Sequence, residues 1–220
     1  MGLADHSGCR LDHLVVTAIS CEQGVSWLES KSGVSIPFGG SHPLMATHNH
    51  LTALTENQFL EVIAIDPAAR TPERPRWFNL DDKQHQGRIS AAPALTTWVA
   101  ATDNLDNSLE TIRQLGIDPG VVVELTRGEL HWRLALKENG SLAYDGIFPI
   151  LIEWPSDINP VSSMQDQGIR LENLVASHPQ AALLSMAMER LGLADQITIQ
   201  EGDASLAANL TVNEHRFSLN

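Results

Sequence analysis

The chain has 220 residues, of which 43% are hydrophobic and 19% are charged. These proportions and this length are typical of a globular protein with a packed core, in one compact domain or two small ones. The 14 Lys and Arg residues against 27 Asp and Glu residues give a net charge of -13 at pH 7. Such a surface repels phosphate backbones and anionic lipids, so we expect neither nucleic acid nor a membrane as a partner.

The sequence carries no signal for export or for crossing a bilayer. Its longest apolar runs, such as residues 147–152, are too short to span a membrane, and residues 1–10 lack the basic and apolar segments of a secretory signal. Cys9 and Cys21 are too few for a disulfide framework, and we expect both to be thiols. These features predict a cytoplasmic protein.

One pattern, a strand followed by a helix, occurs three times along the chain. In each copy a run of apolar and β-branched residues precedes a stretch with apolar residues at helical spacing. The three strand runs are residues 11–16, 95–100 and 171–176, and the helical stretches that follow them are residues 21–30, 105–115 and 178–191.

Further strand-like runs follow each helix, so each copy predicts a βαβββ unit. The fold class is therefore α+β, with repeated units. Between the first two units lies a segment that contains Pro67, Pro72, Pro75 and Pro93, and this composition indicates a connector without regular structure. The predicted organisation is a first unit over residues 1–66, the connector over 67–93, a second unit over 94–155 and a third, degenerate unit over 168–220.

Repeated βαβββ units resemble the vicinal-oxygen-chelate superfamily, in which two units pair into a cupped mixed sheet around a metal. Five segments in the same order are similar to its glyoxalase-like branch. They are residues 11–16 (LDHLVV), 39–43 (GGSHP), 47–49 (THN), 59–63 (FLEVI) and 148–154 (FPILIEW). The resemblance implies that the first two units form the cupped sheet and that the third unit is additional.

The resemblance also implies metal ligands on the first and last strands of each paired unit. The corresponding residues are His13, Glu61, Thr97 and Glu153. One imidazole and two carboxylates suit Zn²⁺, Mn²⁺, Fe²⁺ or Ni²⁺, with Glu153 as the catalytic base when it leaves the metal. Because the hydroxyl of Thr97 is a poor ligand, either three protein ligands hold the metal or none is bound. In the second case His13 is a core histidine hydrogen-bonded to Glu61 or Glu153.

Polar residues on the third strand of each unit are candidate substrate ligands. They are His48, Asn49 and His50 in the first unit and His131 and Arg133 in the second. One face of these strands borders the cup, where Arg133 is suited to bind a carboxylate. Side chains alternate along a strand, so the same residues are equally consistent with a solvated outer face.

Three functions from different classes remain open on these residues. The first is a metal-dependent lyase or isomerase, or a dioxygenase-like enzyme, acting on a small oxygenated molecule. The second is a metal-free protein that sequesters a small molecule, as the bleomycin-resistance proteins of the superfamily do. The third is a structural protein whose own side chains fill the cup. Trp77 and Phe78 in the connector either attach it to the body or cover the cup as a lid.

The third unit lacks the residues of the implied metal site. Asn173 stands where the first unit has His13, and its last strand contains no glutamate. Its apolar residues exceed what one helix can cover, so the unit must pack on its own chain or on a second copy. We expect the second arrangement, a homodimer. The apolar residues are Leu171, Leu174, Ile197, Ile199, Leu206, Leu210 and Phe217.

Overall fold

A computed structural model of the protein describes residues 8–127, 130–155, 158 and 160–220. The part of residues 1–10 before Gly8 therefore lies outside the described residues. The described strands and helices are β1 (Arg10–Thr17), α1 (Cys21–Ser32), β2 (Phe38–His42), β3 (Thr47–Ala53), β4 (Phe59–Ile65), α2 (Lys83–Ala91), β5 (Ala94–Ala101), α3 (Leu105–Arg113), β6 (Val121–Arg127), β7 (Leu130–Leu136), β8 (Ile150–Glu153), β9 (Ile169–Ser177), α4 (Ala181–Leu191), β10 (Thr198–Gln200), β11 (Ser205–Val212) and β12 (His215–Leu219).

The first eight strands form one mixed sheet in the order β2-β3-β4-β1-β5-β8-β7-β6. The opening strands β1 and β5 lie antiparallel at its centre, and each pairs in parallel with the closing strand of its own unit, β4 or β8. The two halves therefore repeat one strand order. This arrangement confirms the α+β class and the pairing of the first two βαβββ units into a curled sheet.

The central strands divide the interior into two cores, because successive side chains point to opposite faces. Leu14 and Trp98 face the helices and contribute to the larger core. Val15 and Val99 face the concave side, where the second core also contains side chains from the connector, including Trp77 and Phe78. The concave side is thus partly filled, with a pocket in its remaining space.

The connector is more regular than its prolines indicate. Residues 83–91 form helix α2, whose first turn is capped by Asp82: the carboxylate accepts a hydrogen bond from the backbone N–H of His85 at 2.7 Å. His85 and Ile89 bury one side of this helix. The prediction of a connector without regular structure is therefore wrong for this segment.

The third unit has the predicted order of elements but a different strand pairing. Its sheet runs β10-β9-β11-β12, so the opening strand β9 lies between the second and third strands of the unit. In the first two units the opening strand instead pairs with the closing one. The third unit is therefore not a topological copy of the other two.

The apolar side of the third unit packs against its own chain. Leu174, Leu210 and Leu184 share one core with Trp98 and Leu109 of the second unit. The opposite side carries polar contacts such as that from Asn209 Nδ2 to Asn173 Oδ1, at 2.7 Å. The surface that we assigned to a second chain is thus covered within the chain, which corrects the argument for a homodimer and leaves the homodimer a prediction.

None of the helices within the described residues is both long enough and apolar enough to cross a membrane.

Candidate functional site

A β-bulge in β1 creates the polar part of the site. Leu11 pairs with Ala100 and His13 with Val99, so Asp12 is one extra residue on its strand. Asp12 Oδ2 lies 2.7 Å from Nδ1 of His13, and Oδ1 accepts a hydrogen bond of 3.1 Å from the indole of Trp154. The bulge therefore allows adjacent side chains to contact each other, where a regular strand would direct them to opposite faces.

Glu61 lies on the neighbouring strand β4 and faces the same ring. Its Oε2 atom is 3.6 Å from Nε2 of His13, and Oε1 accepts a hydrogen bond of 2.6 Å from the amide of Asn49 on β3. The imidazole also stacks on Phe59, with ring centroids 4.3 Å apart. His13 and Glu61 are only 6% and 5% exposed, so this polar group is held inside the protein.

The two groups determine each other's protonation. Burial alone would lower the pKa of His13, but hydrogen bonding and charge from Asp12 and Glu61 raise it to about 9. Burial alone would raise the pKa of Glu61, but His13, with His42 and Asn49, lowers it below its ordinary value. At neutral pH the site therefore holds an imidazolium beside a carboxylate.

These residues form one wall of a concave pocket that encloses about 520 Å³ of space, its open mouth included. Its polar side chains come from the first unit, and its other walls are largely aromatic and aliphatic. The polar residues are His13, His42, Asn49 and Glu61; the aromatic ones are Phe59, Trp77, Phe78, Trp132 and Trp154; the remainder are Leu51, Val99, Leu134, Ile152 and Pro160. The pocket is thus apolar except along one wall.

His42, at the end of β2, is a further buried imidazole of the pocket. Its Nδ1 atom lies 3.2 Å from the hydroxyl of Thr47, and its ring meets Trp77 edge to face at 5.0 Å. Trp77 itself is buried, with an indole nitrogen that has no hydrogen-bond partner among the described atoms. The connector therefore forms part of the pocket wall, through Trp77 and the adjacent Phe78.

Glu153 does not lie with His13 and Glu61. Ile152 faces the pocket, so the next side chain points to the helical side of the sheet. There Glu153 Oε2 accepts a hydrogen bond of 2.7 Å from the first N–H of α3, at Leu105, and Oε1 accepts one of 3.1 Å from Arg133. The prediction of Glu153 as third metal ligand and catalytic base is therefore wrong.

Thr97 was assigned to the position of a metal ligand, but the residue that pairs with His13 is Val99. Val99 lines the pocket, whereas the hydroxyl of Thr97 donates a hydrogen bond of 2.9 Å to the carbonyl of Gly146. The second unit therefore contributes apolar side chains, Val99 and Ile152, to the region facing His13 and Glu61.

Of the five predicted substrate ligands, the structure places only Asn49 in the pocket. His48 and His50 lie on the other face of β3, and Nδ1 of His50 donates to the carbonyl of Ile36 at 2.7 Å. His131 is exposed. Arg133 is outside the pocket as well, bound to both carboxylate oxygens of Asp106 at 2.9 Å. These four residues lie on the faces of their strands that point away from the pocket. The predicted substrate roles of His48, His50, His131 and Arg133 are therefore wrong.

A catalytic zinc ion needs three protein ligands with one position open. The donors available at the pocket wall are His13, whose Nδ1 is engaged by Asp12, Glu61, whose Oε1 is engaged by Asn49, and His42, whose Nδ1 lies 3.2 Å from the hydroxyl of Thr47. Across the described ranges, no group of three His, Cys, Asp or Glu side chains is arranged to hold a metal ion. The residues present therefore do not fit the metal that the resemblance implies.

Several pocket residues were missed in the sequence. Asp12 belongs to the quoted run of residues 11–16, but its role depends on a bulge that alternation alone does not indicate. Trp132 stands between the candidates His131 and Arg133, as Asn49 stands between His48 and His50, and both middle residues line the pocket. The error was to choose the polar neighbours His131 and Arg133 instead.

Comparison with known proteins agrees with this architecture. Residues 11–192 match the profile of the family described as Glyoxalase-like domain. A search of curated proteins finds no match. A hypothetical protein from Staphylococcus aureus is similar in structure, with a TM-score of 0.53 and 13% identity over 96% of this chain and 84% of that one.

Two structures of methylmalonyl-CoA epimerase are also similar, at lower scores. That from Mycobacterium tuberculosis has a TM-score of 0.41 and 14% identity over 66% of this chain and 87% of its own. That from Streptomyces coelicolor, a variant in complex with 2-nitronate-propionyl-CoA, has a TM-score of 0.42 and 11% identity over 67% and 95%. Because the family profile spans most of the sequence, the chain belongs to the Glyoxalase-like domain family, within the vicinal-oxygen-chelate superfamily.

Proposed function

We propose that the protein is an isomerase that moves a proton at a carbon adjacent to the carbonyl group of a small molecule, without a metal ion. The observation that supports this proposal is the buried pair of His13 and Glu61, 3.6 Å apart on the wall of a concave pocket. A carboxylate and an imidazolium side by side supply the base and the acid that such a reaction requires.

Each group has a separate role in the proposed reaction. Glu61 Oε2 takes the proton from the carbon. The electrons of the broken C–H bond move towards the carbonyl oxygen, so that the substrate becomes an enolate with its negative charge on that oxygen. His13 stabilises this oxygen through the N–H at Nε2, while Asp12 fixes the ring through Nδ1. Asn49 holds the other oxygen of Glu61 in place. Return of the proton from Glu61 to a different face or carbon gives the isomer.

The walls of the pocket favour this chemistry. Aromatic and aliphatic side chains line the space opposite the ion pair, so a bound carbonyl compound displaces water from it. With less water present, the electrostatic effect of an imidazolium on a developing oxyanion is larger. Metal-dependent and dioxygenase-like activities depend on a ligand set that the described residues do not form.

A second candidate is a protein that binds a small molecule without converting it. The five aromatic rings of the pocket favour it, including Trp132 and Trp154, whose centroids are 5.3 Å apart. Such rings bind planar apolar molecules through stacking and burial of surface. In this case His13 and Glu61 are a polar contact for the ligand instead of an acid and a base.

The experiment that separates the two functions measures proton–deuterium exchange of small ketones and aldehydes in D2O. NMR monitors the loss of the proton signal next to the carbonyl group. The enzyme is predicted to accelerate exchange next to the carbonyl, with chelator present or absent. Glu61→Gln, which keeps an acceptor for Asn49, is predicted to lower the rate by about 100-fold or more, the contribution of a general base.

Glu153→Gln is the matched control, because it removes a carboxylate from the other face of the same sheet. We expect this variant, once circular dichroism shows it folded, to exchange as the wild type does. Ketone binding that quenches tryptophan fluorescence with no exchange in the wild type would favour the binding protein and contradict the enzyme. A cytoplasmic location and a homodimer stay predictions from the sequence.

A further inference from the structure

A second, larger cavity lies beside the concave pocket. It encloses about 1120 Å³, open solvent included, and shares Leu51 and Pro160 with the pocket. We define the outer cleft by six of its lining residues: Pro37, Phe38, Leu51, Leu130, Pro160 and Met164. Since two side chains belong to both cavities, the outer cleft lies directly beside the pocket.

The outer cleft differs from the pocket in having no charged side chain among its described lining residues. Its polar members are two serines and one glutamine, beside aliphatic, aromatic and proline side chains. The chain as a whole has a net charge of -13. A ligand extension that carries phosphate or carboxylate groups would therefore find no cation among the described lining side chains and an unfavourable field around the protein.

Phe38 is a large apolar side chain that is exposed at this cleft. It is 60% exposed, and its ring is held edge to face against His50 at a centroid distance of 5.6 Å. Two other lining residues, Met164 and Leu51, pack against the small core formed by Phe59, Ala53 and Val161. An exposed aromatic residue among apolar lining residues provides a surface that an apolar group would cover.

We infer that the substrate is a carbonyl compound with an uncharged apolar extension, and that this extension occupies the outer cleft while the carbonyl end lies at His13 and Glu61. The inference rests on the proposed function for the position of the reacting end. The position of the outer cleft directly beside the pocket, with Leu51 and Pro160 common to both, supports the rest.

The test is a fluorescence titration of the protein with 2-alkanones of four to ten carbons. Trp77, Trp132 and Trp154 line the pocket and report its occupation. Each added methylene that enters the outer cleft is expected to tighten binding by about fourfold, the effect of removing one CH₂ group from water. Analogues of the same length that end in a carboxylate are expected to lose this gain.

Phe38→Glu places a charge in the outer cleft at an exposed position, where we expect the fold to tolerate it, and is expected to abolish the dependence on chain length. Met164→Glu is a second variant with the same expected effect. Met186→Glu, at a methionine 47% exposed on α4, is the matched control and should keep the wild-type dependence.

Affinity that does not change with chain length in the wild type, or a dependence that survives in both cleft variants, would overturn the inference. Because this readout is binding, absence of deuterium exchange would contradict the proposed reaction and leave the inference intact.

Discussion

The Nε2 atom of His13 lies 3.6 Å from Oε2 of Glu61, between two strands that pair in parallel. The residues are not direct partners: His13 pairs with Phe59 and Glu61 with Val15, so the ion pair is diagonal across the sheet. Both backbones are fixed by the sheet, and both side chains have a second contact, with Asp12 and Asn49. The acid and the base are therefore held in position before a ligand enters.

The raised pKa of His13 predicts that stability falls with rising pH. In the folded protein His13 keeps its proton up to about pH 9, whereas in the unfolded chain it loses the proton near pH 6.5. The contribution of His13 to the free energy of unfolding is therefore complete below pH 6.5 and is lost as the pH rises through 9. The difference corresponds to about 3 kcal/mol in the free energy of unfolding. Urea unfolding measured between pH 6 and 9.5 should show this fall. In His13→Gln the fall should be smaller, because the imidazolium that holds its proton in the folded protein is gone.

Gly39 is predicted to be necessary for the position of Asn49. A Cβ atom on Gly39 would lie 2.5 Å from Oδ1 of Asn49 and 2.6 Å from Cγ of Leu51, so alanine there must displace both. We expect Gly39→Ala to lower the free energy of unfolding by about 1–3 kcal/mol, as overpacking does. Gly87→Ala, where a Cβ would meet nothing within 4 Å inside helix α2, should gain about 0.5–1 kcal/mol. Equal effects of the two substitutions in thermal unfolding would show that this steric account is incorrect.

Glu153 is predicted to act on stability. Its carboxylate caps the start of α3 and binds Arg133, so Glu153→Gln should lower the free energy of unfolding by about 1–2 kcal/mol. Glu172→Gln, which removes an exposed ion pair with Arg216, should cost about 0.5 kcal/mol or less. Chemical unfolding of the two variants side by side measures the difference, and a larger loss for Glu172→Gln would argue against the role of Glu153.

The repeat in the sequence predicted the main sheet, because apolar runs and helical spacing are local signals. They also drew attention to Glu61, since a carboxylate inside the apolar strand β4 must face a compensating group, which in the structure is His13. The same argument failed for Glu153. That residue is the last of β8, where the strand meets the start of α3, so a helix N-terminus and Arg133 compensate its charge outside the pocket.

The sequence did not determine which side chains of each strand in the second unit face the pocket. A shift of one residue moves every side chain to the opposite face, and polar residues occur on both faces here. The bulge at Asp12 adds a break in alternation that has no sequence signal. Helix α2 was missed because the prolines around it dominate the composition, while its capping residue Asp82 is one acid among several. These features depend on contacts between distant segments.

The most direct test of the account is the protonation state of His13, measured by ¹⁵N NMR of histidine-labelled protein between pH 5 and 10. The account predicts that both ring nitrogens of His13 carry protons at pH 7 and titrate near pH 9, without added metal. In Glu61→Gln the titration should move to lower pH, because one of the two carboxylates that stabilise the imidazolium is gone. A neutral imidazole at pH 7 that titrates at or below pH 6.5 would contradict the acid–base pair on which the proposed function rests.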